Sequence, residues 1–270
     1  MTAMKAFDYH KPSSVPEAAA LFASGSEIRP LAGGMSLLPT MKQRLSAPSA
    51  VIDLSGIPAL KGISVGADTI TIGAMTRHAD VARSPEVLKA LPALAQLAGG
   101  IGDPAVRNRG TIGGSLANND PNADYPAAAL ALGATIVTST REIAADQFFR
   151  GMFETALAPG ELITAVKLPI PLAAGYAKMP NQASRFALVG VFVAKFADGV
   201  RVTVTGAAPA VFRVPAFEAA LSKRFEPGAV NGHGVDPAGL SSDIHAEAAF
   251  RAHLISVMAK RAVATALANS

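Results

Sequence analysis

The sequence predicts a fold that mixes helices and strands in three successive regions, residues 1–55, 56–170 and 171–270. Three observations carry this. Short apolar runs of strand length alternate with alanine-rich stretches of helical spacing along the chain. Pro169-Ile170-Pro171 punctuates it and marks a boundary. Hydrophobic residues make up 50% of the 270 positions and charged residues only 16%, enough apolar surface for a sizeable core.

The first region reads as strand, helix, strand, loop, strand. Ser13 or Ser14 caps a helix over 14–24, Pro16 suits its first turn, and Ala18, Leu21 and Phe22 share a face. Ile28 to Ala32 reads as a strand entering a glycine loop, and Val51 to Leu54 as another strand. In the second region Gly62 to Val65 and Thr69 to Gly73 flank a turn and predict a hairpin. His78 to Ala82, Pro85 to Ala98 and Ala127 to Leu132 read as helices; Ala134 to Thr138 and Leu162 to Leu168 read as strands. In the third region Ala187 to Phe196 and Val200 to Thr205 are strands joined at Asp198-Gly199. Pro215 to Ser222 and Ser242 to Ala268 are helices.

Two glycine pairs stand out: Ala32-Gly33-Gly34-Met35-Ser36 and Thr111-Ile112-Gly113-Gly114-Ser115. A glycine pair has no Cβ atoms, so a ligand can approach its backbone closely. Consecutive exposed N–H groups in such a turn form an anion-binding concavity. Two of them would grip a dinucleotide's phosphates from opposite sides; equally, a glycine pair marks a plain turn. Ser36, Thr111 and Ser115 offer hydroxyl donors or local caps. Arg107 and Arg109 either neutralise phosphate charge or make inter-subunit ion pairs. Asn118, Asn119, Asp120 and Asp124 suit turn caps, and Asp124 also suits an acceptor for ligand hydroxyls or ring N–H groups.

Composition excludes several classes. There is no cysteine, so disulfides, thiolate zinc sites and iron–sulfur ligation are absent from this chain. That fits a cytoplasmic protein. Net charge is +4 with no basic run, which argues against nucleic acid as a partner. Met1 to Pro12 has no apolar core of a signal peptide, and Ala127 to Val137 is too short for a membrane span. Gly100-Ile101-Gly102-Asp103-Pro104 begins like a Rossmann fingerprint but lacks its third glycine. His245 and His253, placed on one helix, have no third ligand nearby, so no metal site is expected.

Taken together, Ala32-Gly33-Gly34-x-Ser36, Arg107 to Ser115, Asp120-Pro121 through Asp124, Gly160-Glu161-Leu162-Ile163, Lys167-Leu168-Pro169, Lys178 and Ala183 to Ala187 resemble the FAD-binding medium subunit of molybdenum hydroxylases. That group includes the medium subunit of aerobic carbon monoxide dehydrogenase and the flavin domain of xanthine dehydrogenase. The resemblance covers essentially the whole chain. It implies an α+β protein, with a two-subdomain FAD-binding fold of the vanillyl-alcohol-oxidase type followed by a smaller α+β C-terminal domain. It implies that Leu31, Ala32, Gly33, Gly34, Met35, Ser36 and Leu37 wrap the pyrophosphate and that Thr111, Ile112, Gly113, Gly114 and Ser115 complete the grip. Asp124, Leu162, Ile163 and Lys178 match further cofactor-contact positions. Many relatives carry histidine at the position of Met35, and histidine can bond flavin covalently in other families of the wider fold; methionine cannot, so non-covalent FAD is expected. Met35 itself reads as core filler.

The implied function is that of an oxidoreductase subunit. It would pass electrons from iron–sulfur clusters on a small partner, fed by a large molybdenum-cofactor subunit, through FAD to an external acceptor, in a dimer of heterotrimers. No side chain here is assigned as catalytic. A stand-alone flavin-dependent oxidase or reductase of the same fold is the alternative. It needs an acid–base group over the flavin, which the sequence does not identify. A colourless binding module, with the glycine pairs as turns only, is the third reading.

Overall fold

The computed structural model describes residues 4–269. Met1, Thr2 and Ala3, the start of the stretch read above for a signal peptide, and Ser270 lie outside the described residues.

Three short strands build the first unit: β1 (Asp8–His10), β2 (Ile28–Leu31) and β3 (Ala50–Asp53), in the order β1-β3-β2 with both pairings parallel. Parallel neighbours need crossover connections. These contain α1 (Val15–Ala23) and α2 (Leu37–Lys42). Ser14 caps α1 by accepting from Glu17 N, as expected. Helix α2 lies inside what the sequence presents as loop. Pro39 hides it, but in a first turn its missing N–H costs nothing. Ala18, Ile52, Leu54, Ile57 and Leu60 form this unit's core, and Met75 and Leu162 from the next unit complete it.

The second unit holds an antiparallel sheet of β4 (Ile63–Val65), β5 (Thr69–Gly73), β6 (Thr135–Thr138), β7 (Glu142–Ala144) and β10 (Ile163–Pro169), ordered β4-β5-β10-β6-β7. Between β5 and β6 the chain forms α3 (His78–Arg83), α4 (Pro85–Ala90), α5 (Pro92–Gly99), α6 (Pro104–Arg107), α7 (Ile112–Asn118) and α8 (Tyr125–Ala131). The single helix expected over Pro85 to Ala98 is two. Pro92 opens a new helix at its first turn, and Leu91 leaves helical geometry before it. After β7 come α9 (Ala145–Phe148) and the small hairpin of β8 (Phe149–Gly151) and β9 (Glu154–Thr155).

A meander of β11 (Ala173–Pro180), β12 (Ala187–Phe196), β13 (Gly199–Thr205) and β14 (Phe212–Arg213) forms the third unit, with α10 (Pro215–Lys223) and α11 (Ala248–Ala268). Strand β12 is buried on both faces. Val189, Val191 and Val193 pack with α11, while Phe192 and Ala194 join the core of the second unit. The sequence does not announce β11, because Ala173-Ala174-Gly175 reads poorly as strand. Gly175 is there for close approach: a Cβ would stand 2.0 Å from Ala262 O of α11. Helix α11 begins six residues later than expected. Asp243 accepts from the N–H groups of His245 and Ala246, and Ser242 from that of Ala248, so local side-chain bonds compete with the helix. His245 therefore stands outside the helix that carries His253.

Candidate functional site

The two glycine segments meet. Residues 74–78 run beside 110–113: Gly113 N donates to Ala74 O, Ile112 N to Thr76 O, and His78 N to Gly110 O. This brings Arg109 and Gly110 against the first segment, where a Cβ on Gly33 would stand 2.2 Å from Arg109 O. A cleft of about 820 Å³ opens along the seam. That lies in the upper part of the roughly 300–1,000 Å³ typical of small-molecule sites.

The cleft is lined by Ala32, Gly33, Gly34, Met35, Ser36 and Leu37 on one side and by Thr111, Gly113, Gly114 and Ser115 on the other. Asp124, Leu162 and Ile163 line it too. Leu31, Ile112 and Lys178, expected with them, do not. Leu31 ends β2 and Ile112 is in the core. Met35 is not core filler: it is 37% exposed at the mouth of the cleft. No motif marks His78, Arg29 or Met75 as lining residues, yet all three line the cleft. Ser184, Arg185 and Phe186, quoted above without a role, also line it.

The two segments differ in chemistry. Thr111 to Ser115 is not a loop but the capped first turn of α7. Its N–H groups are occupied: Ile112 and Gly113 bond as above, Gly114 donates to Thr111 Oγ1, and Ser115 to Thr111 O. No concavity of free amides exists there, which corrects the symmetrical grip. The first segment is the opposite case. Gly34 takes φ +76°, and the backbone N–H groups of Gly33, Gly34, Met35 and Ser36 donate to no described residue. Ser36 caps α2 without a side-chain bond, so its hydroxyl is also available. The glycines are partly a packing device: Gly113 abuts Ala74, and a Cβ on Gly110 would stand 2.5 Å from His78 Nε2.

Long-range bonds hold the polar stretch after α7. Asn119 closes α7 at φ +43° and its Nδ2 donates to Gly151 O and Glu154 O, both at 2.8 Å. Thr205 Oγ1 donates to Pro121 O and Ala123 O. Asp124 is buried, and its Oδ1 accepts from Tyr176 Oη at 2.5 Å and Lys178 Nζ at 2.9 Å. Burial pushes the Asp124 carboxyl up from the usual range, against the pull of Lys178 and Tyr176. Lys178 Nζ also donates to Gly100 O and Arg185 O, so it acts as a tether behind the cleft.

Glu161 sets the other wall. Its carboxylate accepts from Arg141, Thr138, Thr140 and Ala158 N, stitching two turns together just before Leu162 and Ile163. The Arg141 bond is the main reason its pKa falls to about 2. Arg107 donates to Ile101 O and Gly102 O and clamps the turn before α6; neither it nor Arg109 lines the cleft.

Residues 5–171 match the model of the FAD binding domain in molybdopterin dehydrogenase. The chain belongs to this family. As a member of that FAD-binding family it is similar, over nearly its whole length, to medium subunits of molybdenum hydroxylases. It is 35% identical to the nicotine 6-hydroxylase medium subunit of Paenarthrobacter nicotinovorans, covering 99% of each chain. It is 36% identical to the carbon monoxide dehydrogenase medium chain of Hydrogenophaga pseudoflava, covering 97% of this chain and 98% of that one. Among solved structures, a chain of reconstituted CO dehydrogenase from Oligotropha carboxidovorans superposes with a TM-score of 0.91 at 31% identity, with full coverage of both. The cofactor of the family is FAD, and the chain is a flavoprotein oxidoreductase subunit. Among the described residues no helix is long and apolar enough to cross a membrane, and no cluster of side chains could hold a metal ion.

Proposed function

We propose that this chain carries FAD in the cleft between the glycine segments and relays electrons from a partner's iron–sulfur clusters to an external acceptor. The observation that carries this is the row of four unpartnered backbone N–H groups, Gly33 to Ser36, facing no acceptor of the protein's own. A diphosphate is the anion that suits them. Across the seam the hydroxyls of Thr111 and Ser115, not the amides of α7, complete the polar grip. Leu162, Ile163 and Met75 give an apolar wall for the ring system, and Asp124 borders the same space. When bound, FAD supplies the exchange between two-electron and one-electron chemistry. The protein's own residues bind it, orient it and exclude water. Leu31 and Ile112 act through the backbone that they anchor, and Lys178 acts through Asp124.

Met35 in place of histidine leaves the flavin without a covalent bond from this loop. The three units proposed as domains are 1–55, 56–170 and 171–270; all three line the cleft, the third through Ser184, Arg185 and Phe186. The electrons would arrive from a small iron–sulfur subunit and, before it, a large subunit with molybdenum cofactor, the complex pairing as a dimer of heterotrimers in the cytoplasm. The test is to purify the chain with and without those partners and record the absorption spectrum. A flavin spectrum, restored to the flavin-free chain by FAD, is the expected result. A chain that stays colourless with excess FAD refutes the reading. Reduction of the flavin by substrate only when both partners are present distinguishes the relay from a stand-alone oxidase.

A further inference from the structure

His78 is buried at the cleft with nothing to bond. It opens α3, and its backbone N donates to Gly110 O at 2.9 Å, which fixes the side chain opposite the second glycine segment. The imidazole is only 5% exposed and lines the cleft. Its Nε2 edge lies against Gly110, where any Cβ would stand 2.5 Å away, so glycine is what makes room for the ring. Behind it sits Tyr125, with ring centroids 5.3 Å apart. The imidazole makes no hydrogen bond to any described residue: Nδ1 is buried without a partner, and so is the Tyr125 hydroxyl.

Native structures rarely leave buried polar atoms unsatisfied, because each gives up its hydration with no bond in return. Here Nδ1 is closed off from solvent, and Nε2, on the edge against Gly110, is the ring nitrogen that borders the cleft. Burial and the Arg107 charge keep the ring neutral, with a pKa near 4, so it offers one N–H donor and one acceptor. We propose that His78 is a positioning residue for FAD, its Nε2 hydrogen-bonding a polar group of the bound cofactor beside Gly110. This rests on FAD occupying the cleft, and goes beyond it by adding a contact outside both glycine segments.

The test uses the full chain freed of flavin and labelled with 15N-histidine. On titration with FAD, the His78 ring nitrogens should shift, one of them as a nitrogen gaining a hydrogen bond. H78F should weaken FAD binding about tenfold, about 1.4 kcal/mol, while H78Q, whose amide can still donate and accept, should recover part of it. If the wild-type chain binds FAD but its His78 nitrogens do not move and H78F binds within twofold, the His78 contact is refuted while the cofactor site stands. If the wild-type chain binds no FAD, the cofactor site itself is refuted. The nitrogen shifts decide the matter even where H78F fails to fold.

Discussion

Lys178→Met is the perturbation that most sharply tests how the cleft is supported. Lys178 Nζ stands 2.9 Å from Asp124 Oδ1, 2.9 Å from Gly100 O and 3.0 Å from Arg185 O, and the two charged side chains are 11% and 3% exposed. Methionine keeps the stem and removes the charge. The carboxylate of Asp124 then keeps the Tyr176 hydroxyl and its own backbone N–H but no cation, and two carbonyls lose their donor. Removing one partner of a buried ion pair typically costs about 3–5 kcal/mol. The loss should be read by urea unfolding at pH 7, followed by circular dichroism, with Asp124→Asn and the double variant completing a cycle. The double variant should regain part of the loss, because an amide needs no counter-charge. The sign with pH is fixed. Burial raises the Asp124 pKa in the folded state, so a group with no ammonium beside it disfavours folding most when ionised. Lys178→Met should therefore regain stability as pH falls from 7 toward the unfolded carboxyl pKa, about 3.9. A loss under about 1 kcal/mol at pH 7, unchanged at pH 5, would show that the tether is not what holds Asp124.

Three other outcomes are expected. Gly33→Ala places a methyl 2.2 Å from Arg109 O and should lower the melting temperature of the flavin-free chain. Gly114→Ala, on a helix, places a methyl 2.9 Å from Thr111 Oγ1 and 3.3 Å from Ala32 Cβ, side-chain atoms rather than a backbone carbonyl, and should be milder; calorimetry on both ranks them. Glu161→Gln should lose up to about 3 kcal/mol at pH 7, from 1.36 kcal/mol per pKa unit, and less in practice because Arg141 is half in water. Since the Glu161 pKa is depressed from 4.5 to about 2, the stabilisation is present above about 4.5 and fades as pH drops toward 2. Wild type and variant should therefore converge in urea titrations at low pH. Acid precipitation of the flavin-loaded chain should leave all flavin in the supernatant, as Met35 can form no bond to it; flavin in the pellet refutes non-covalent binding.

How much of this was legible before the structure depends on range. Features set by neighbours in sequence were readable: the Ser14 cap, the β4–β5 hairpin and the Asp198-Gly199 turn follow from local chemistry. Features set by distant contacts were not. Strand β11 is invisible because Gly175 is chosen by the backbone of α11, some ninety residues away, rather than by strand propensity. The same logic reshapes the site. Glycine pairs in a sequence suggest space for a ligand, yet Gly33 and Gly113 meet the protein's own backbone at Arg109 and Ala74, and the second pair spends its amides on Ala74 O and Thr111 Oγ1. What the pattern encodes is the seam. The two segments must touch before either can present a polar edge to the cleft, and glycine is the residue that lets them. The unpartnered amides then fall on one side only, at Gly33 to Ser36, while His78 enters from a third segment with no motif to mark it. A binding loop is thus recognised by the donors that the fold leaves unspent, and that quantity exists only once every long-range hydrogen bond has been assigned.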